Sequence, residues 1–401
     1  MRRSMAGPEH PFNRFSNKSW LRMKKRPRRP VGKPVRSVDL FAGCGGLSLG
    51  VTESCRRLGL NHSIELASDW DERAISIFST NLRPNSTHIG DIKSLFDGEI
   101  GQEKLTSREM ETIAKFPNTM KPDILSGGPP CQGHSDLNNH TRRGDPRNSL
   151  YLRMVRATEI LSPNCLIIEN VPTVIHSKER VVQIATEHLM NLGYFVESNI
   201  LWANKFGVPQ KRKRHFLVAS KIRKPDFGNL EELGTNKDMT LRWAIEDLED
   251  SYDSETVFDS SATPSKENQN RMNWLIENEQ WNLPNILRPP CHQQGHNYPA
   301  VYGRMYWDQP CSTITRGFGS TGQGRFMHPA AYPGRTLTPH EAARVQTFPD
   351  WFNFKDQLRG TVSKMIGNAV PPLLAMHISM VAIESIILLD GDGAGDGSIN
   401  T

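Results

Sequence analysis

Short apolar runs and amphipathic stretches alternate along roughly the first 220 residues of the chain. Ser37-Val-Asp39-Leu-Phe41, Asp123-Ile-Leu-Ser126, Cys165-Leu-Ile-Ile168 and His215-Phe-Leu-Val-Ala219 have the composition and length of buried strands. Between them, apolar positions at helical spacing predict helices over 71–81, 150–161 and 179–192. Strands alternating with helices imply a mostly parallel sheet covered on both faces, an α/β fold. Beyond about residue 221 the alternation gives way to polar, Asn- and Pro-containing sequence carrying Trp243, Trp274, Trp281 and Trp307, which predicts a different and smaller domain. A last apolar stretch, 372–389, is interrupted by His377 and Glu384 and predicts a helix packed on the first domain, not a membrane span.

The strand ends carry the chemistry. After Ser126 the chain runs Gly127-Gly128-Pro129-Pro130-Cys131-Gln132, so a thiol is delivered on a stiff proline-led loop. An isolated cysteine is more often buried and inert, and three other segments shift the balance here. Ile168 is followed by Glu169-Asn170-Val171-Pro172, a carboxyl and an amide placed at a strand end. Gln210-Lys-Arg212-Lys-Arg214 precedes another strand, and its alternate residues share one face if the strand period already applies. Two guanidiniums there could hold a phosphate or a base carbonyl, although a solvated basic turn is the commoner use of such a run.

The third segment, Asp39-Leu-Phe41-Ala-Gly43-Cys-Gly45-Gly46-Leu47, is a strand followed by a glycine-rich turn. It lacks a Gly-Lys-Ser/Thr sequence and the full Gly-x-Gly-x-x-Gly spacing, which argues against a triphosphate loop and against a dinucleotide fingerprint. Asp69 stands 23 residues after Gly46, where a second strand would offer a carboxylate to ribose hydroxyls, and Trp70 beside it offers a face to an adenine. Gly90-Asp91-Ile92 could close a third strand and place another acceptor near an adenine amino group. A nucleoside cofactor without a pyrophosphate suits this set better than NAD.

Together these segments resemble the DNA (cytosine-5) methyltransferases of the type II restriction-modification kind. The resemblance covers roughly residues 37–390, in matching order and spacing, and includes Leu337-Thr-Pro-His-Glu341 to Pro349 and Gly367-Asn368-Ala-Val-Pro371-Pro372 near the C-terminus. It implies a Rossmann-like S-adenosylmethionine-dependent catalytic domain with a small inserted target-recognition domain. By this resemblance Asp39, Phe41, Gly43, Gly45, Gly46, Asp69, Trp70, Asp91, Ile92, Pro129 and Asn368 bind S-adenosyl-L-methionine. Cys131, Glu169, Arg212 and Arg214 form the catalytic set, with Cys131 adding to cytosine C6 and Glu169 assisting at N3. Gln132, Ser135, Arg142, Arg143, Gln210 and Thr313 are the expected DNA contacts, the first four on a polar loop that closes over the duplex. His134 departs from the aromatic residue many relatives carry.

Charge and cysteine usage refine the picture. Residues 1–36 hold twelve Lys/Arg and one acid, a net +11 within an overall +6, so the remainder sums to −5. That segment reads as a basic, disordered tail, and the folded body must attract double-stranded DNA through local patches. The expected division is 1–36 tail, 37–224 catalytic, 225–334 target recognition, 335–390 C-terminal return, and 391–401 a flexible tail. The six cysteines contain no Cys-x-x-Cys pair, and a catalytic thiol needs reducing conditions, so a cytoplasmic, nucleoid-associated monomer is expected. Cys291-His292 with His296 lacks a fourth ligand at zinc spacing, and no metal is expected. The function this implies is C5 methylation of cytosine in DNA, protecting it from a cognate restriction endonuclease. Two alternatives remain at this point, a tRNA-methylating enzyme sharing the same motifs and a DNA-binding regulator without catalysis.

Overall fold

In the computed structural model the described residues are 16–130, 149–228, 230, 238–293, 300–354 and 357–387. Strands β1 (Pro34–Leu40), β2 (Asn61–Asp69), β3 (Thr87–Ile89), β4 (Ile124–Gly127), β5 (Cys165–Asn170), β6 (Phe195–Trp202) and β8 (Lys213–Ser220) form one sheet in the order β3-β2-β1-β4-β5-β8-β6. Only β8 runs antiparallel to its neighbours. The central strands are buried on both faces, as the unbroken apolar runs require of a parallel sheet. A two-stranded ribbon pairs β7 (Gln210–Lys211) with β9 (Cys311–Ser312).

Strand order fixes where chemistry can occur. From β1 the chain steps outward through β2 to β3, then returns to β4 on the other side of β1 and steps the opposite way to β5. Loops leaving β1 and β4 therefore diverge at a topological switch point, which opens a crevice at the carboxyl ends of these strands. β1 and β4 pair from Ser37↔Ile124 to Leu40↔Gly127, so the glycine-rich turn and the Gly127-Gly128-Pro129-Pro130 loop start side by side.

Helices α3 (Glu72–Leu82), α5 (Ser149–Leu161) and α6 (Val181–Asn191) fall within two residues of the predicted stretches, and α2 (Gly46–Arg57) follows the glycine-rich turn. For α3 the start is fixed by Asp71, whose carboxylate accepts from the Arg73 and Ala74 N–H groups. Helix α5 joins α4 (Ser107–Lys115) through Arg156, buried and paired with Glu109 at 2.7 Å. One sheet face is covered by α5 and α6, the other by α2 and the helix Pro372–Ile386. A Cβ on Gly50 would stand 2.4 Å from the Ala375 Cβ, so glycine is what lets α2 and that last helix meet. Residues 359–386 are apolar and long enough to cross a membrane, but 94% of the critical window is buried in the protein, as befits a core helix.

Two expectations change. Residues 16–36 are not a loose tail. Ser16 caps α1 (Asn17–Leu21), which buries Trp20 and Leu21 in the main core. Leu21 and Met23 carbonyls accept from the Asp350 and Trp351 N–H groups at 3.0 and 2.9 Å, and Arg22 pairs with Asp247 at 2.6 Å. Arg26 and Arg29 donate to the Leu82 carbonyl at the end of α3. Burial of two large apolar side chains outweighs the solubility of the surrounding cations. The interval 225–334 is also less separate than its composition suggests. Leu241, Ala244, Ile245, Phe258, Met305, Ile314, Phe318 and Phe326 belong to the main core, while Met272, Leu275, Leu283, Val301, Tyr302 and Met327 form a satellite of their own.

Candidate active site

The cofactor side is built on the turn after β1. Phe41, Gly43 and Gly45 all have positive φ, and Gly45 precedes the first residue of α2. At Gly45 an added Cβ would sit 2.5 Å from a Leu82 methyl, and at Gly46 it would sit 2.3 Å from the Val370 carbonyl oxygen. Glycine is required there because α3 closes on Gly45 and the segment after Asn368 closes on Gly46. Asp69 binds the turn through Oδ2, which accepts from the Gly43 N–H at 2.8 Å, while its Oδ1 accepts from the Asp71 N–H at 2.9 Å. Its carboxyl pKa is raised by burial.

Asp39 is 1% exposed, and its Oδ2 accepts from the Ser48 hydroxyl at 2.5 Å. Its Oδ1 is buried with no partner, and burial pushes its pKa up to about 7. Trp70 is 69% exposed, with Lys364 Nζ 5.0 Å from its ring centre and 2.5 Å from the Asp71 carboxylate. Asp91 is exposed and caps a short turn, whereas Ile92 is buried beside it. Asn368 is exposed at the end of the helix Arg359–Asn368. An orphaned buried carboxylate oxygen, a glycine cradle and an exposed indole are the features a cationic nucleoside ligand needs.

The other half lies at the end of β5. Glu169 Oε1 pairs with Arg214 Nε at 2.8 Å, and both side chains are largely enclosed. Gly128 passes over the carboxylate, where even a Cβ would stand 3.1 Å from Oε2. The Asn170 amide donates to the Pro129 carbonyl at 3.2 Å, and its Oδ1 accepts from the Val171 N–H at 2.8 Å. Asn170 thus staples the buried Pro129, two residues before Cys131, to the strand bearing Glu169. Cys131, Gln132, Ser135, Arg142 and Arg143 lie outside the described residues. Burial pushes the pKa of Cys44, Cys55 and Cys165 up to about 12 and raises that of Cys311 further, so none of these is a nucleophile.

Gln210 and Arg212 do not face a ligand. Gln210 is fully enclosed, donating to the Gln346 side chain at 2.7 Å and the Val345 carbonyl at 3.2 Å, and accepting from the Ile314 N–H at 3.1 Å. This corrects its expected contact with DNA. Arg212, 1% exposed, donates to the carbonyls of Ile314 and Gly367. Burial depresses its pKa, and Arg214 adds like-charge repulsion. Arg212 thus ties the 313–315 segment to the C-terminal end of the helix Arg359–Asn368. The strand period of two runs through 210–214, so Gln210, Arg212 and Arg214 share the inner side while Lys211 and Lys213 stay exposed. Thr313 is half-buried, its hydroxyl donating to the Lys211 carbonyl at 2.9 Å. The sequence reading missed Ser48, Gly128 and Lys364. Lys364, three residues before the Gly367-Asn368 motif, was the most findable of them.

Strand order, the glycine turn at the switch point and a carboxylate-guanidinium pair at the neighbouring strand end define a Rossmann-like methyltransferase. The family model for C-5 cytosine-specific DNA methylases matches residues 35–384. The chain is 45% identical over 367 residues to the type II methyltransferase M1.BsuMI of Bacillus subtilis (strain 168), covering 90% of this chain and 84% of that protein. It is 28% identical to the type II methyltransferase M.DdeI of Desulfomicrobium norvegicum, covering 85% and 87%. The solved structure of S. pombe Dnmt2 methyltransferase shares the fold, with a TM-score of 0.58 at 18% identity, covering 88% of this chain and 99% of that one. The chain belongs to the C-5 cytosine-specific DNA methylases and is a DNA (cytosine-5-)-methyltransferase of the type II restriction-modification kind.

Proposed function

We propose that this protein transfers a methyl group from S-adenosylmethionine to C5 of a cytosine extruded from duplex DNA, through a covalent bond between Cys131 and C6. The juxtaposition of Glu169 and Arg214 with the stapled Pro129 loop, beside the glycine turn, carries the reading. The cofactor, when bound, supplies a methyl group on a positively charged sulfur, a leaving group that needs no metal. Asp39, Asp69 and Trp70 would hold it, Asp39 by offering its unpaired oxygen to a cation and Asp69 by its carboxylate.

Cytosine C5 is a poor nucleophile. Addition of the Cys131 thiolate at C6 places the electron pair on the ring, and Glu169, in its protonated form, hydrogen-bonds N3 and stabilises the charge that builds there. Arg214, already docked on Glu169, is placed to hold the base O2. C5 then takes the methyl group, loses its proton, and expels Cys131 to restore the aromatic ring. The base must leave the stack to reach these groups, at a cost of a few kcal/mol. Arg212 acts through the 313–315 segment and the C-terminal end of the helix Arg359–Asn368, without touching the base. Methylation of host DNA at such a site protects it from a cognate endonuclease acting in the same cytoplasm.

Duplex DNA carrying 5-fluorocytosine at the target position tests the covalent step, because fluorine at C5 cannot leave as a proton does. The expected result is a stable protein-DNA adduct that disappears in Cys131→Ser but survives in Cys44→Ala and Cys291→Ala. An adduct formed at full yield by Cys131→Ser would overturn the assignment.

A further inference from the structure

Beside the Glu169-Arg214 pair the antiparallel strands β6 and β8 present a cation that the reaction scheme does not use. Trp202, the last residue of β6, pairs with Lys213, the first of β8, one step from the Leu201↔Arg214 pair. The Lys213 ammonium lies 3.9 Å from the centre of the Trp202 ring. Trp202 is 44% exposed, unusual for so large an aromatic side chain at the end of a sheet strand, and Lys213 is exposed with it. Lys211, two residues earlier, is also exposed, and its carbonyl is held by Thr313.

The way Lys213 is held matters. A carboxylate partner would fix the ammonium but cancel its charge, and among the described residues no carboxylate pairs with it. An aromatic face fixes the ammonium through its quadrupole and leaves the full charge facing solvent. The result is an oriented, unneutralised cation at the strand end that bears Arg214, on the opposite face of the sheet. The body of the protein outside residues 1–36 is net negative, so this charge is not part of a general basic field.

We infer that Lys213, perched on Trp202, contacts a backbone phosphate of the DNA strand that carries the target cytosine, next to the extruded nucleotide. The inference rests on the reading of duplex DNA as substrate given above. A nucleotide swung toward Arg214 brings its own phosphodiester to this strand end, and a phosphate is the anion a point-like ammonium suits. Such a contact holds the strand in register for extrusion and carries no sequence information.

Binding of wild type and Lys213→Met to a duplex containing the methylated sequence, measured from 50 to 200 mM salt, tests this. Met keeps the apolar stem over Trp202 and removes the charge. One lost phosphate contact lowers the slope of log affinity against log salt by about 0.9, so over this fourfold range the variant loses about 3-fold less affinity than wild type. The variant binds several-fold more weakly at 50 mM. The same cytosine is methylated, the unfolding temperature is unchanged, and Lys213→Arg restores the slope. Trp202→Ala, which removes the perch but keeps the charge, weakens binding with the wild-type slope. A wild-type slope in Lys213→Met, alongside normal methylation by the wild-type enzyme, would overturn the contact and leave the substrate reading intact. If the wild-type enzyme transferred no methyl group to any duplex, the substrate reading would fall first.

Discussion

Asp39→Asn makes the enzyme more stable and worse at holding its cofactor. The carboxyl group sits at the end of β1 with Oδ1 unpaired, and burial moves its pKa from 3.8 to about 7. At about 1.36 kcal/mol per unit this shift is a folding penalty of roughly 4 kcal/mol once the group is ionised. Below the unfolded value both states are protonated and the penalty is absent. As pH rises toward 7 the unfolded chain ionises first, so stability falls, and above the folded value the whole penalty remains. Asparagine has nearly the same shape and never ionises, but its second amide proton needs an acceptor, so the expected gain at pH 8 is about 2–3 kcal/mol. The gain shrinks below about 1 kcal/mol at pH 4. Urea midpoints of the cofactor-free protein at the two pH values provide the measurement. Calorimetric titration at pH 8 then shows S-adenosylmethionine binding about tenfold more weakly to the variant, the equivalent of about 1.4 kcal/mol from one lost charged contact. An asparagine variant no more stable than wild type at pH 8, or equally stabilised at both pH values, would refute the idea that Asp39 stores a cost which a bound cation relieves.

Two further outcomes concern the site and the docked helix α1. Glu169→Gln keeps the contact with Arg214 but cannot supply a proton to N3, so single-turnover methyl transfer falls by about 10² to 10⁴ while DNA affinity changes little. An unchanged rate would place the acid elsewhere. Deleting residues 1–15 removes three arginines and leaves α1 intact, so the unfolding temperature stays constant; deleting 1–30 removes Trp20, whose burial alone is worth about 3–5 kcal/mol, and yields aggregated or unfolded protein. Equal stability of the two truncations would contradict the docking of α1.

How far the sequence could be read depended on whether a signal was local. Asp39 through Gly46 announces a strand and a turn because apolar alternation and glycine punctuation lie within ten residues, and the helices beginning near Asp71, Leu150 and Val181 show their own period. The link between Asn170 and Pro129 spans 41 residues and depends on β4 and β5 being neighbours, so no local pattern contains it. The same holds for the Gly128 opening over Glu169. Trp20 and Leu21 were hidden by composition, since a stretch so rich in arginine, lysine and proline looks solvated until its partners at Asp350 and Trp351 are known. In 210–214 the shared face of alternate residues was legible, but what that face meets depends on the distant acceptors Ile314 and Gly367.

The packing of α2 against the helix Pro372–Ile386 also sets a timetable for synthesis. The last strand of the sheet ends at Ser220, and the helix that covers one of its faces begins about 150 residues later. At about 5–20 residues per second a ribosome takes roughly 8–30 s to cross that gap, during which one face of the finished sheet lacks half of its cover. A nascent chain therefore holds Cys131, Glu169 and its glycine turn long before it holds the residues that lock the turn in shape. Activity should arrive all at once when the helix Pro372–Ile386 is made, and a message broken before it should yield chains fit for proteases instead of partial enzymes.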